Sequence, residues 1–427
     1  MVKNRPQRNG FHIGFVSTRF SGTDGVSLET RKWAAILERS GHTCFYFAGS
    51  SDQEAGRSYI VPEALFTHPD IRLIYTKAFT SSFRPVEVTR LIYDLKEHLK
   101  NEIAAFVHKF EIDVIIAENS LTIPMNIPLG IALTEFIAEE NISTIAHHHD
   151  FYWERQRYLL NCVQDYLNMT FPPRLPAVHH VVINSLAATQ LSLRTGVSAM
   201  LIPNVMDFEH PPAVPDDYLT DLRSALGIQP GERLILQPTR VVQRKGIEHA
   251  IELLRRLGLE ARLIISHASG DEIDDYEQRV HDYAQLMGVP VNFVSETIGH
   301  DRGLTRDGRK IFALEDVYLE ADLVTYPSNM EGFGNAFLEA IYYRKPVVVN
   351  KYSIFDLDIK PKGFQVIEFE GYITEATVQQ TQQVLEDPRR FHPIAEHNYR
   401  LGKRYYSYAM LERHLNTLLS DCFGEPA

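Results

Sequence analysis

The sequence predicts an α/β protein built from two doubly wound parallel-sheet domains that face a cleft. Three observations predict it. Short β-branched runs alternate with longer amphipathic segments along the chain. The alternation is interrupted by the proline- and acid-rich stretch IPNVMDFEHPPAVPDD (202–217), then restarts. The length, 427 residues, suits two or three domains.

The elements follow in order. FHIGFVS (11–17) is an apolar run bounded by turn formers, the pattern of a buried strand. GVSLETRKWAAILERSG (25–41) has apolar residues at helical spacing and a terminal glycine, and predicts a helix. Segments 42–49, 112–119, 143–149 and 180–185 predict further strands, with helices at 84–110 (one helix or a pair) and 129–141. After the interruption, strands are expected at 233–240, 261–267, 291–296, 321–328 and 346–350. Helices are expected between them at 246–258, 274–288 and 335–344. The span 398–423 predicts one long helix able to pack back across the cleft. The expected domains are 1–205 and 206–400, with 401–427 as a returning helix.

Composition narrows the function. The net charge is −12, of which about −1 falls in residues 1–205 and about −11 in the remainder. No basic stripe stands out, which argues against nucleic acid and anionic membrane as partners. The densest basic group, Arg302, Arg306, Arg309 and Lys310, is interrupted by Asp301 and Asp307 and reads as a solvated loop. Cys44, Cys162 and Cys422 form no CxxC pair, so no disulfide framework is expected. The start is polar, the apolar run behind it is too short for a signal peptide, and no run nears the roughly 18 apolar residues of a span. A cytoplasmic protein without stable membrane insertion is expected, and a homo-oligomer is compatible with this.

Four segments carry residues suited to chemistry, each at the C-terminal end of a predicted strand. In Glu331-GFGNAFL-Glu339 two carboxylates flank the turn Gly332-Phe333-Gly334 and the start of a helix at Asn335. A turn opening into a helix offers free N–H groups and a positive dipole end to a diphosphate. Carboxylates accept hydrogen bonds from vicinal hydroxyls, and eight helical residues would bring Glu339 round to face with Glu331. In QPTRVVQRKG (237–246), Arg240 and Lys245 are two cations placed to neutralise a departing diphosphate, with Arg244 the solvent-facing member. His147-His148-His149-Asp150 ends another strand. Alternation sends successive side chains to opposite faces, so three adjacent histidines do not converge on one metal ion. A sugar-contacting histidine, with Asp150 orienting the turn, fits better, and satisfied core histidines are the bland alternative. Finally, Gly22-Thr23-Asp24-Gly25 lacks the GxGxxG pattern of a dinucleotide loop, but its small residues allow close backbone approach to a ligand.

These residues resemble glycosyltransferase family 4, whose Glu-x(7)-Glu pair is matched by Glu331 and Glu339 and whose Arg-x(4)-Lys clamp by Arg240 and Lys245. The linker Pro203-Asn204, the loop glycines and His149-Asp150 fit the same family pattern, and the likeness spans about 11–420. Details such as the triple histidine resemble a subgroup that makes compatible solutes. The resemblance implies a GT-B fold of two Rossmann-like domains, acceptor-binding at 1–205 and nucleotide-sugar-binding at 206–400. It implies retaining hexosyl transfer from a nucleotide diphosphate sugar, of GDP-mannose or UDP-glucose type, to a small hydrophilic acceptor, with no metal and no other cofactor. His149, Asp150, Arg240, Lys245 and Glu331 would be catalytic. Gly25, Gly332, Phe333, Gly334, Asn335 and Glu339 would complete donor binding, and Gly22, Asp24, His148 and Tyr152 would meet the acceptor. Competing expectations are an epimerase or phosphorylase of the same fold, or a non-catalytic sugar-nucleotide sensor.

Overall fold

The computed structural model describes residues 10–22, 25–268, 276–299 and 301–423. It divides into two compact units, residues 1–205 with 408–427, and residues 206–407.

Unit 1 carries seven parallel strands: β1 (His12–Val16), β2 (Thr43–Ala48), β3 (Ser58–Ile60), β4 (Val114–Glu118), β5 (Thr144–His148), β6 (Val178–Val182) and β7 (Met200–Leu201). Their order is β3-β2-β1-β4-β5-β6-β7. Every residue of β4 and β5 is buried, as expected where helices cover both faces of a parallel sheet. Alternation along β1 divides the core. Ile13 and Phe15 join Trp33 and Leu37 on one face, and Val16 joins Leu99, Phe106 and Leu133 on the other. The segment read as one helix or a pair is a single helix, Val86–Phe110.

The long helix expected at 398–423 is two helices, Pro388–Tyr405 and Tyr408–Phe423. The break falls where the chain passes from unit 2 to unit 1. Apolar periodicity runs through Tyr405-Tyr406-Ser407 without a glycine or proline to mark it. Leu411, Leu415, Leu418 and Leu419 of the last helix enter the same core as Ile13 and Trp33.

Unit 2 carries β8 (Arg233–Gln237), β9 (Ala261–Ile265), β10 (Val291–Phe293), β11 (Ile298–Gly299), β12 (Gly303–Leu304), β13 (Lys310–Ala313), β14 (Leu323–Tyr326), β15 (Val347–Asn350) and β16 (Ile367–Phe369). The main sheet runs β10-β9-β8-β14-β15-β16, and β11-β13-β12 form a small separate sheet. Both large sheets reverse their winding at the centre, between β1 and β4 and between β8 and β14. In open parallel sheets this switch point is where loops diverge and ligands bind. Among the described residues no helix is long and apolar enough to cross a membrane.

The basic stretch 302–310 is only partly the solvated loop expected: Arg306 and Arg309 are exposed, but Arg302 and Lys310 are tied to acids of other segments. Arg302 bonds Asp316, which is 0% exposed, at 2.6 Å through Nη2, and reaches Asp216 at 2.6 Å through Nη1. Lys310 pairs with Asp221 at 2.5 Å. Arg302→Met leaves a buried carboxylate whose remaining bond comes from the Ala313 N–H. The expected loss is about 2–4 kcal/mol of stability, read from the midpoint of chemical unfolding.

Candidate active site

In unit 2 the predicted residues gather at the switch point. β8 ends at Gln237 and leads to Arg240 and, through a turn of 3-10 helix, to Lys245. Its neighbour β14 ends at Tyr326 and leads to Glu331. The two strands pair in parallel, so segments some 90 residues apart leave the sheet side by side. Lys245 is buried and its ammonium bonds Glu331 Oε1. Arg244, read as solvent-facing, lies instead 3.4 Å from Glu331 Oε2 and donates to the Met330 carbonyl at 3.2 Å. Arg240 is exposed, with no ion pair among the described residues. Burial pushes the Glu331 carboxyl up, but Lys245 and Arg244 outweigh it and hold the group below the usual carboxylate range. Burial lowers Lys245, and Glu331 works against that.

Glu331 is not on a helix. The helix begins at Asn335, so Glu339 sits one turn into it and the Gly-rich turn separates the two acids. Glu339 accepts a hydrogen bond from the Tyr318 hydroxyl at 2.8 Å. Phe333 is 3% exposed and packs edge-on against Tyr406. The Tyr352 hydroxyl donates to the Phe333 carbonyl at 2.8 Å. Gly334 caps the helix at φ +132°, and a Cβ there would lie 2.3 Å from the Tyr352 hydroxyl. Tyr318 and Tyr352 are neighbours of the candidate residues that the sequence did not suggest.

In unit 1 the histidine run divides as strand alternation requires. His147 Nδ1 lies 3.0 Å from Glu118 Oε2, and His149 Nε2 lies 3.1 Å from the same oxygen. Glu118, at the end of β4, stands beside His147 in the parallel register and is 0% exposed. Burial pushes its carboxyl up, but the two histidines more than reverse this and hold it at about 2. Sequence reasoning missed Glu118, because an isolated Glu at a strand end has no spacing to mark it. Among the described residues Glu118, His147 and His149 place donor atoms within 4.8 Å of one another, close enough for a metal ion. Hydrogen bonds to one carboxylate account for both contacts, and we read the cluster so.

His148 points the other way. Its Nδ1 lies 2.5 Å from the Thr122 hydroxyl and its Nε2 lies 2.9 Å from His180 Nδ1. With both nitrogens engaged and 1% exposure, its ring has no polar atom left for an acceptor. Asp150 accepts from Asn119 Nδ2 at 3.2 Å and pairs with Arg155. The Tyr152 hydroxyl accepts from Gln164 at 3.3 Å. The Gly22 N–H donates to Asp52 at 3.2 Å, and Gly25 opens the first helix. Asp24 lies outside the described residues. A cavity of about 80 Å³ opens between the ends of β1 and β4, lined by Ser17, Thr18, Arg19, Asn119, Ser120 and Asn126 among others.

Comparisons with known proteins identify the family and the fold. Residues 308–404, which include both acids of the Glu331/Glu339 pair, match the family model "Glycosyl transferases group 1". A mannosylglucosylglycerate synthase of Thermotoga maritima is 31% identical, over 94% of this chain and 97% of that protein. Another, from Petrotoga mobilis, is also 31% identical, over 92% and 98%. Among solved structures, Anabaena Alr3699/HepE in complex with UDP and glucose superposes with a TM-score of 0.63 at 16% identity, covering 96% of this chain and 100% of that one. That likeness establishes a shared GT-B fold. The chain therefore belongs to the group 1 glycosyltransferases, in the family that contains these mannosylglucosylglycerate synthases, and is a hexosyltransferase.

Proposed function

We propose that the protein is a retaining, metal-independent hexosyltransferase. It takes a hexose from a nucleotide diphosphate sugar, of GDP-mannose or UDP-glucose type, and passes it to a small hydrophilic acceptor such as a glucosylglycerate-like compatible-solute precursor. The observation that carries this reading is the convergence of Lys245 and Glu331, with Arg240 on the same loop, at the C-terminal ends of β8 and β14. A cation–carboxylate pair at a switch point, beside the Gly-rich turn before Asn335, suits a ligand with a diphosphate at one end and hydroxyls at the other.

In this reading the bond from the anomeric carbon to the diphosphate breaks as the acceptor oxygen bonds that carbon from the same face. The acceptor proton passes to an oxygen of the leaving diphosphate. Arg240 and Lys245 stabilise the negative charge released, aided by N–H groups of the 333–336 turn. In unit 2 Glu331 holds the sugar and Glu339 the ribose hydroxyls, and in unit 1 His149 offers a ring nitrogen to a hexose hydroxyl. Identity of 31% across nearly the whole of both synthases supports a three-part product of their kind.

The test is nucleoside diphosphate release from GDP-mannose and UDP-glucose with glucosylglycerate as acceptor, followed by NMR of the product. Release that depends on acceptor, an α-linked product from an α-linked donor and full activity in EDTA are expected. An inverted product, or activity lost with chelator and regained with magnesium or manganese, contradicts the mechanism.

A further inference from the structure

The two histidines on Glu118 are not equivalent. His147 is sealed: its side chain is 1% exposed, it stacks on Trp33 at 4.1 Å, and its Nε2 is buried without a hydrogen-bond partner. His149 shares the same carboxylate oxygen, but its side chain is 9% exposed. Its backbone N–H donates to Asn119 Oδ1 at 3.2 Å, and its Nδ1 has no hydrogen-bond partner among the described residues. Of the two rings, His149 is therefore the one with a nitrogen to offer outward.

We propose that Glu118 is a positioning residue for hexosyl transfer: by accepting the Nε2–H of His149 it fixes that ring and presents Nδ1–H to a hydroxyl of the bound sugar. His147, stacked on Trp33, also contacts this carboxylate, 3.0 Å from Oε2 and 3.2 Å from Oε1. The inference rests on the reading above, in which His149 meets the donor sugar.

Charge balance supports the geometry. A carboxylate sealed from water must be paired. Burial drives His147 toward its neutral form. Burial also pushes His149 down, but the hydrogen bond and charge of Glu118 reverse this and raise it above the ordinary value. The pair of Glu118 and protonated His149 is then neutral as a whole. The groups that face His149 are Glu118 from β4, His147 and Asp150 from its own segment, and Glu29 from the first helix. Asp150 is matched by Arg155 and Glu29 by Lys32, the latter at 2.8 Å.

The sign of the pH effect follows. Nδ1 donates while His149 is protonated, and the donor is lost as pH rises through its raised value. Glu118→Gln removes the charge that raises it, so the donor is lost at lower pH. The alkaline limb of kcat/KM should move toward acid by about 1 pH unit or more. Transfer at pH 8 should fall about 10- to 100-fold. Glu118→Asp, which keeps the charge, should recover part of it. A ¹⁵N NMR titration of the wild-type protein should show His149 keeping both ring protons to a pH above the ordinary imidazole value, and it decides the matter even where Glu118→Gln does not fold. An alkaline limb unmoved in Glu118→Gln, a wild-type His149 that titrates at or below the ordinary imidazole value, or stoichiometric zinc in the purified protein overturns the proposal. Should no donor and acceptor give transfer, the reaction reading fails, while the NMR titration still reports whether Glu118 governs His149.

Discussion

Lys245→Met is expected to lower kcat/KM for transfer by about 10²- to 10³-fold, the loss typical of removing a preorganised donor from developing negative charge. It should also destabilise the protein, because Glu331 is nearly buried and would keep Arg244, at 3.4 Å, as its cationic partner. Breaking a buried pair from one side costs about 3–5 kcal/mol, and the surviving arginine places this case at the low end. The double variant Lys245→Met/Glu331→Gln removes the stranded charge. It should recover much of the stability and none of the activity. Arg240 gives the complementary case: it is exposed, so Arg240→Ala should lower transfer with an unchanged unfolding midpoint. Steady-state kinetics with denaturant unfolding on the four proteins separates the two effects. Near-normal transfer in both single variants would remove the diphosphate clamp from the mechanism.

Gly334→Ala should be the most damaging single-atom change at the turn. The residue sits at φ +132°, a conformation L side chains rarely adopt, and its new Cβ would meet the Tyr352 hydroxyl at 2.3 Å. That hydroxyl is not free to withdraw, since it is buried and donates to the Phe333 carbonyl. The turn must then shift, and with it the first N–H groups of the helix at Asn335. Loss of about 2 kcal/mol or more of stability is expected, with transfer reduced at least 100-fold. Adding Tyr352→Phe removes the clash but not the dihedral strain, so stability should return only in part. A Gly334→Ala protein with wild-type donor affinity would show that the turn does not cradle the donor.

Much of the fold was legible in the sequence for a simple reason. Strands covered on both faces are continuous apolar runs, so β1, β4, β8 and β14 could be read directly, along with the loops that leave them. Short or weakly apolar elements could not: β3, β7, β16 and the small sheet are two to four residues long and borrow their stability from neighbours. The site followed the same division. Lys245 and Glu331 lie in motifs whose local spacing is informative. Glu118 gains its meaning only from the register between β4 and β5, which joins it to a residue 29 positions on. Pairing of that kind is a property of the sheet rather than of any window of sequence. His148 shows the converse: its neighbours suggested a ligand contact, and alternation placed it among Thr122 and His180 instead.

The helix Tyr408–Phe423 supplies four leucines to a core otherwise built from the first half of the chain. During synthesis that core cannot close until some 200 intervening residues have been made, so unit 2 can fold first while the earlier sheet waits with an uncovered face. A chain truncated after residue 407 and released from the ribosome should show a protease-resistant second half behind a susceptible first half, the reverse of the usual vectorial order.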